Sequence, residues 1–297
     1  MATVDSCWRP VPNPRCIQWW YLFLLTDDGE AWRVRLWVQG APGPQLRCGA
    51  ELCRYPAHGE PWERQAAWGA DAFHAEQDRL HVMIEACSIQ EQDGEVRLAV
   101  RLPGVELTVS ARSSVRWPRP VIGYDVDGTH GWCWSVPILR GRFAGRVTRG
   151  GQARDLTGTV FFDHVRADTT PSPDWLVRYR GWCWGVLWTP ERSLLFLDVD
   201  FAGAPLRKAF EAVGDGPVRE LSDLPVRWEG RRRPRFTLDL GDGEHPVAEQ
   251  WSWPKRHRVL DRPLTERVVN AWPGLRKRHG LGRVAGGHLF TEWMRVR

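Results

Sequence analysis

The sequence has few lysines, no long apolar run and no paired cysteines, and each shortage excludes something. The longest apolar stretch runs from Ile17 to Leu25 and includes Gln18. It falls well short of the roughly 20 apolar residues of a membrane-spanning helix. Met1 to Asp5 shows no basic region followed by an apolar one, so no secretory leader is expected. Lysine is confined to Lys208, Lys255 and Lys277, so the formal net charge of +5 rests on arginine. Acidic residues are interspersed with those arginines almost everywhere, and so diffuse a footprint argues against a nucleic-acid partner. The seven cysteines, Cys7, Cys16, Cys48, Cys53, Cys87, Cys133 and Cys183, are odd in number and scattered. None forms a C-x-x-C pair, and Cys48 and Cys53 lack a second ligand pair for a zinc cage. Reduced, mostly buried thiols in a cytoplasmic protein are expected. No P-loop, no G-x-G-x-x-G after a strand and no G-x-S-x-G elbow occurs, and neither a cofactor nor a metal is expected.

What the chain does have is ordinary globular composition, 42% apolar and 26% charged, and an excess of tryptophan: 19 Trp against 10 Phe and 4 Tyr. Alternating patterns predict strands at Ala31 to Val38, Arg79 to Ala86, Glu95 to Val100 and Val105 to Ser110. Further candidates are Gly141 to Val147, Gly158 to Phe162, Trp182 to Trp188, Ser193 to Asp200, Arg235 to Leu240, Val247 to Trp253 and His288 to Arg295. Turn signals separate them: Asp27-Asp28-Gly29, Gln92-Asp93-Gly94, Asp127-Gly128, Gly150-Gly151 and Gly241-Asp242-Gly243. This is the pattern of an all-β barrel or sandwich. One or two short helices are expected toward the C-terminus, from a Thr265-capped stretch through Trp272 and from Leu206 to Val213. The Pro-rich Trp117 to Pro120 suggests a division of the chain near residue 140, into halves 1–140 and 141–297.

The phrase Gly-Trp-Cys-Trp occurs twice, at Gly131 to Trp134 and at Gly181 to Trp184, with Asp163 between the copies. Asp163 ends an apolar strand, Gly158 to Phe162, and precedes His164. Desolvation in an aromatic surround would favour the protonated carboxyl, the form able to protonate an electron-rich alkene. Indole faces would then hold the resulting carbocation. The plainer alternative is a strand-end Asp that caps a turn and pairs with Arg166. His130 could orient that acid or handle a water proton, or simply face solvent from a loop. His130, Cys133 and His164 do not have the spacing of a metal set. Asp125/Asp127 and Asp198/Asp200 each put two carboxylates on one strand face, which more often marks a strand end meeting solvent. Two basic clusters, Lys255 to Arg258 and Arg276 to His279, could touch an anionic membrane surface or form a solvated face.

Four segments in order resemble the carotenoid 1,2-hydratase (hydroxyneurosporene synthase) and lipocalin-like group. Gln18-Trp19-Trp20-Tyr21-Leu22 resembles its E-W-W-Y-F-type signature, and His130 to Pro137 its H-x-W-x-x-x-x-P segment. Gly158 to His164 resembles its G-x-G-Y-x-D strand, and Trp182 to Gly185 its W-x-W-G strand. Phe161 stands where the family has Tyr, Val160 where it has a second Gly, Val165 at an Asn position and Gln18 in place of Glu. The resemblance implies two lipocalin-like β-barrel or sandwich halves and a cofactor-independent hydratase. Such an enzyme adds water to a terminal isoprenoid C=C of an acyclic carotenoid. By the same resemblance Asp163 is the proton donor and His130 and Trp132 are its catalytic partners. Trp134, Phe161, Trp182, Trp184, Trp20 and Tyr21 would line the substrate pocket. An apolar polyene or isoprenoid partner implies a cytoplasmic protein in peripheral contact with a membrane. The resemblance leaves two alternatives open: a cyclase or Diels-Alder-type pericyclase of polyketide or terpenoid biosynthesis, and a non-catalytic carrier of an apolar ligand.

Overall fold

A computed structural model describes residues 6–14, 16–56, 60–115, 117, 120–125, 131–167, 179–201, 206–229, 235–240, 243–254 and 276–295; at some strand ends, Gly131 and Trp132 among them, the backbone alone is described. Two compact units result, Met1–Thr170 and Pro171–Arg297.

The first unit contains β1 (Ile17–Thr26), β2 (Ala31–Gln39), β3 (Arg47–Tyr55), β4 (Trp62–Trp68), β5 (Phe73–Ala75) and β6 (His81–Ile84). It continues with β7 (Cys87–Gln92), β8 (Glu95–Leu102), β9 (Val105–Val115), β10 (Pro120–Asp125), β11 (Gly131–Arg149) and β12 (Gln152–Ala167). All join one antiparallel sheet in the order β4-β3-β2-β1-β12-β11-β9-β8-β7-β6-β5, with β10 beside β11. The sheet curls until β3 and β4 come against β6 and β8. One apolar core fills the curl, from Trp20, Leu22 and Leu24 of β1 through Val34, Leu36, Leu52, Leu98 and Leu107 to Val160 and Phe162.

The halves expected at 1–140 and 141–297 do not coincide with these units, because residue 140 falls within β11. That strand pairs with both β9 and β12, so a cut there would break two ladders. The turns follow their signals. Asp93 and Gly94 take φ of 52° and 74°, and Gly150 and Gly151 take 57° and 79°, which suits tight hairpins. Gly158 serves a close approach instead: a Cβ there would lie 2.1 Å from the Leu25 carbonyl oxygen of β1.

The second unit contains β13 (Tyr179–Trp188), β14 (Arg192–Phe201), β15 (Leu206–Val213), β16 (Arg219–Glu220), β17 (Val226–Glu229) and β18 (Arg235–Asp239). β19 (Glu244–Pro246), β20 (Ala248–Pro254), β21 (Arg276–Val284) and β22 (Gly287–Arg295) complete it. A sheet ordered β16-β15-β14-β13-β22-β21-β20 is accompanied by the smaller β17-β18-β19. Cys183, Leu187, Leu194, Phe196, Phe236, Leu238 and Leu289 form its core. Leu206–Val213, expected as a helix, is strand β15. It pairs with β14 along its length and buries Ala209, Phe210 and Ala212, so ladder pairing overrides a weak helical preference. The Thr265 stretch lies outside the described residues. Ala70–Ala72 form a 3-10 turn, and among the described residues no helix is long and apolar enough to cross a membrane.

Candidate active site

Strand β1 is buried along both faces, which is unusual for a strand of a curled antiparallel sheet. Its even-numbered side chains face the barrel core. Its odd-numbered ones face the other way, and the register of β12, β1, β2 and β3 extends that reverse face into three adjacent rows. The first row is Trp134, Val165, Trp19 and Trp37, with Trp37 opposite Gly49. A Cβ at Gly49 would lie 2.5 Å from the Trp37 ring, so the glycine leaves room for the indole. The second row is Asp163, Tyr21, Arg35 and Glu51, and the third is Phe161, Phe23, Arg33 and Cys53. Rows on one face of a strand are about 7 Å apart and neighbouring strands about 4.8 Å. Asp163 therefore lies in a polar row flanked on both sides by aromatic ones.

The centre of this face is as dry as the core, while Trp19, Trp37 and Arg35 are half-buried. Asp163 is 2% exposed, Tyr21 4%, Glu51 2%, Arg33 1% and Phe161 0%. Burying charge costs free energy unless it is paired, and here it is. The Arg33 Nη2 lies 3.2 Å from the Glu51 Oε2 and 3.8 Å from the Glu63 Oε1, and Arg35 donates to the other Glu51 oxygen. Arg33 also donates to the Cys53 Sγ at 2.7 Å. Burial opposes the Arg33 charge, yet Cys53, Tyr55, Glu51 and Tyr21 together hold its pKa well above the usual guanidinium range. Burial pushes the Cys53 thiol up and the Tyr55 phenol well up, so both stay neutral near pH 7. Cys53 is thus no activated nucleophile.

The ladder beside Asp163 is irregular. Ser135 pairs with His164 and Ile138 with Phe162, so Val136 and Pro137 of β11 oppose the single residue Asp163. A bulge of this kind re-aims side chains, and Pro137 brings no N–H to the ladder.

The expected site residues divide by face. Asp163, Tyr21, Phe161 and Trp134 share the reverse face. Trp20 does not: it faces the barrel core, donates from Nε1 to the Ser6 carbonyl at 2.8 Å and stacks on His164 with ring centroids 5.1 Å apart. Strand alternation thus sends the neighbours Asp163 and His164 to opposite faces, and the imidazole is not beside the acid. His130 lies outside the described residues, and Trp132 is placed by backbone register alone, opposite Ala167. Trp182 and Trp184 belong to β13 of the second unit, so the two copies of the tryptophan phrase sit in different sheets. There Trp184 Nε1 donates to the buried Glu292 Oε1 at 3.1 Å, and its ring meets Phe290 edge-on at 5.6 Å. Asp198, expected at a strand end meeting solvent, is buried within β14 and pairs with Arg207 at 3.3 Å. Among the described residues no three His, Cys, Asp or Glu side chains converge as a metal site.

Arg33, Arg35 and Glu51 were not expected at the site. Alternation in Ala31 to Val38 reads as a half-exposed strand, which sends the arginines to solvent. The signal that finds them lies in β1, where Trp19, Tyr21, Phe23 and Leu25 make the second face apolar too and require its neighbours to be buried on both sides.

No family model matches the chain, and no curated protein sequence matches it. Solved structures do. A Nitrosomonas europaea protein given the name AttH aligns with a TM-score of 0.64 and 15% identity, over 95% of this chain and 94% of that one. Kievitone hydratase from Nectria haematococca aligns with a TM-score of 0.57 and 12% identity, over 99% and 92%. CghA, in a structure with Sch210972, aligns with a TM-score of 0.53 and 12% identity, over 100% and 96%. At these identities the likeness is one of fold, and the chain has the all-β, lipocalin-like architecture of these proteins along nearly its whole length.

Proposed function

We propose that the protein is a cofactor-independent hydratase that adds water to a terminal isoprenoid C=C of an acyclic carotenoid. The observation that carries this reading is the buried carboxyl of Asp163 between two aromatic rows. The reaction needs a protonated acid, and burial works toward that form. Asp163 gives its proton to the less substituted alkene carbon, leaving a tertiary carbocation for the faces of Trp134, Trp19, Tyr21 and Phe23. Water adds to the cation, and the oxonium returns a proton to the carboxylate. His130 and Trp132 keep in this proposal the partner roles given by the family resemblance. The likeness in fold to a protein named as a hydratase supports the reaction class. In this reading a cytoplasmic protein meets its apolar substrate at a membrane surface.

The test is incubation with lycopene or neurosporene in heavy-oxygen water, followed by mass spectrometry. One labelled hydroxyl per hydrated chain end is the expected product. Polyene recovered unchanged from a tight complex would make the protein a carrier instead.

One observation favours a second reading. The paired guanidiniums Arg33 and Arg35 beside Tyr21 suit the polarisation of a substrate carbonyl, which a cyclase or pericyclase needs and a hydrocarbon hydratase does not. In that case Asp163→Asn has a modest effect and Arg35→Gln a large one.

A further inference from the structure

A different constellation lies inside the barrel of the first unit, on the face opposite Asp163. Trp32 near the start of β2, Arg54 near the end of β3 and Trp62 at the start of β4 form one cross-strand row. Trp32 belongs to the barrel core and Trp62 packs against it. The two rings meet edge-on with centroids 5.7 Å apart, and the Arg54 Cζ lies 5.9 Å from the Trp32 ring centroid. These positions share one end of the barrel. Arg149, the last residue of β11, reaches that end and places its Cζ 4.7 Å from the Trp62 ring centroid, and Arg64 does so at 5.7 Å.

The row is rich in donors, and three of them are unmatched among the described residues. Trp32 Nε1, Trp62 Nε1 and Arg54 Nε are all buried, and among the described residues none has a hydrogen-bond acceptor. Trp32 itself is 1% exposed. An indole N–H is a donor only, and a buried one nearly always finds a partner. The local carboxylate is already committed: Glu30 receives Arg54 at 2.5 Å on one oxygen and Arg154 on the other. Arg154 also stands 3.6 Å from Asp28. Arg54 and Arg154 thus share Glu30 and Asp28, while the guanidiniums of Arg64 and Arg149 lie against the Trp62 ring.

We propose that this row is a binding site for a carboxylate-bearing ligand. An anion satisfies the donors and offsets the excess of guanidinium. Two of the three donors are neutral and Arg54 already shares its charge with Glu30. A planar monoanion therefore fits the site better than a doubly charged phosphate. The site is separate from the proposed hydratase chemistry, since it occupies the other face of the sheet.

The experiment uses the full chain labelled with nitrogen-15 and follows its indole N–H resonances during titration with sodium benzoate at constant ionic strength. Trp62→Phe and Trp32→Phe identify the two signals. The proposal expects both to move together along one saturable curve, because hydrogen bonding to an oxyanion deshields the indole proton. Arg54→Gln should weaken that binding about tenfold or more. Signals that stay still up to about 50 mM benzoate would overturn the site. An equal response in Arg54→Gln, or saturation by inorganic phosphate and not by benzoate, would overturn the assignment of its ligand. The wild-type titration decides even where a substituted chain fails to fold.

Discussion

Phe162 and Asp163 are neighbours in β12, both almost fully buried, and they live in different chemistry. Phe162 points into the barrel with Leu22, Leu24, Val34 and Leu52, an apolar set that matches any stable β-core. Asp163 lies on the other face, in the row that continues through Tyr21 to Arg35 and Glu51. Apolar burial stabilises a fold at little risk, whereas a buried row of acid, phenol and guanidinium is a cost that packing alone would not retain. The difference teaches that one sheet can carry an apolar core on one face and a buried polar row on the other.

Substitutions can break that contrast. The largest effect is expected for Asp163→Asn, which should lower hydration about a thousandfold, the scale of a lost general acid, with a melting temperature within a few degrees of wild type. Phe162→Ala should do the reverse. It should cost about 4 kcal/mol in urea unfolding and leave the turnover of the folded fraction near wild type. Glu51→Gln leaves Arg33 and Arg35 without their shared carboxylate and should cost roughly 3 kcal/mol, which would show that the reverse face is polar at a price in stability. An exposed cluster supplies the smallest effect. Hydrogen bonds from Ser110 and Arg97, with Arg112 nearby, hold Glu95 down at about 2 from its usual 4.5. A depressed carboxylate stabilises the fold above its unfolded pKa and loses that contribution as pH falls through the folded value. Glu95→Gln should therefore lower the melting temperature by at most about 2 °C at pH 7, and the difference should fade between pH 4.5 and pH 2.

Much of the ladder was legible in the residues. Ala31 to Val38, Glu95 to Val100 and Val105 to Ser110 are strands as their alternation indicates, and Asp93-Gly94 and Gly150-Gly151 turn where expected. Arg79 to Ala86 is shorter than its pattern. β6 ends at Ile84 because Glu85 takes a φ of 53° in a tight turn. What the pattern could not show is pairing at a distance. β1 meets β12 across most of the unit, and only that pairing sets Tyr21 against Asp163. Leu206–Val213 failed for a related reason, since its apolar positions suit either period and β14 decides between them. The two copies of the tryptophan phrase, both expected to line the substrate pocket, occupy β11 and β13 in different sheets. The aromatic company of Asp163 in its own unit is instead Trp134, Trp19, Phe23 and Phe161.

The central claim is that the buried carboxyl of Asp163 is an acid and not a structural group. Heavy-oxygen incorporation into an acyclic carotenoid, measured for wild type and Asp163→Asn at matched folded fraction, tests it most directly. Loss of incorporation by about a thousandfold with the fold intact is the predicted result. Incorporation at the wild-type rate in Asp163→Asn would contradict the claim.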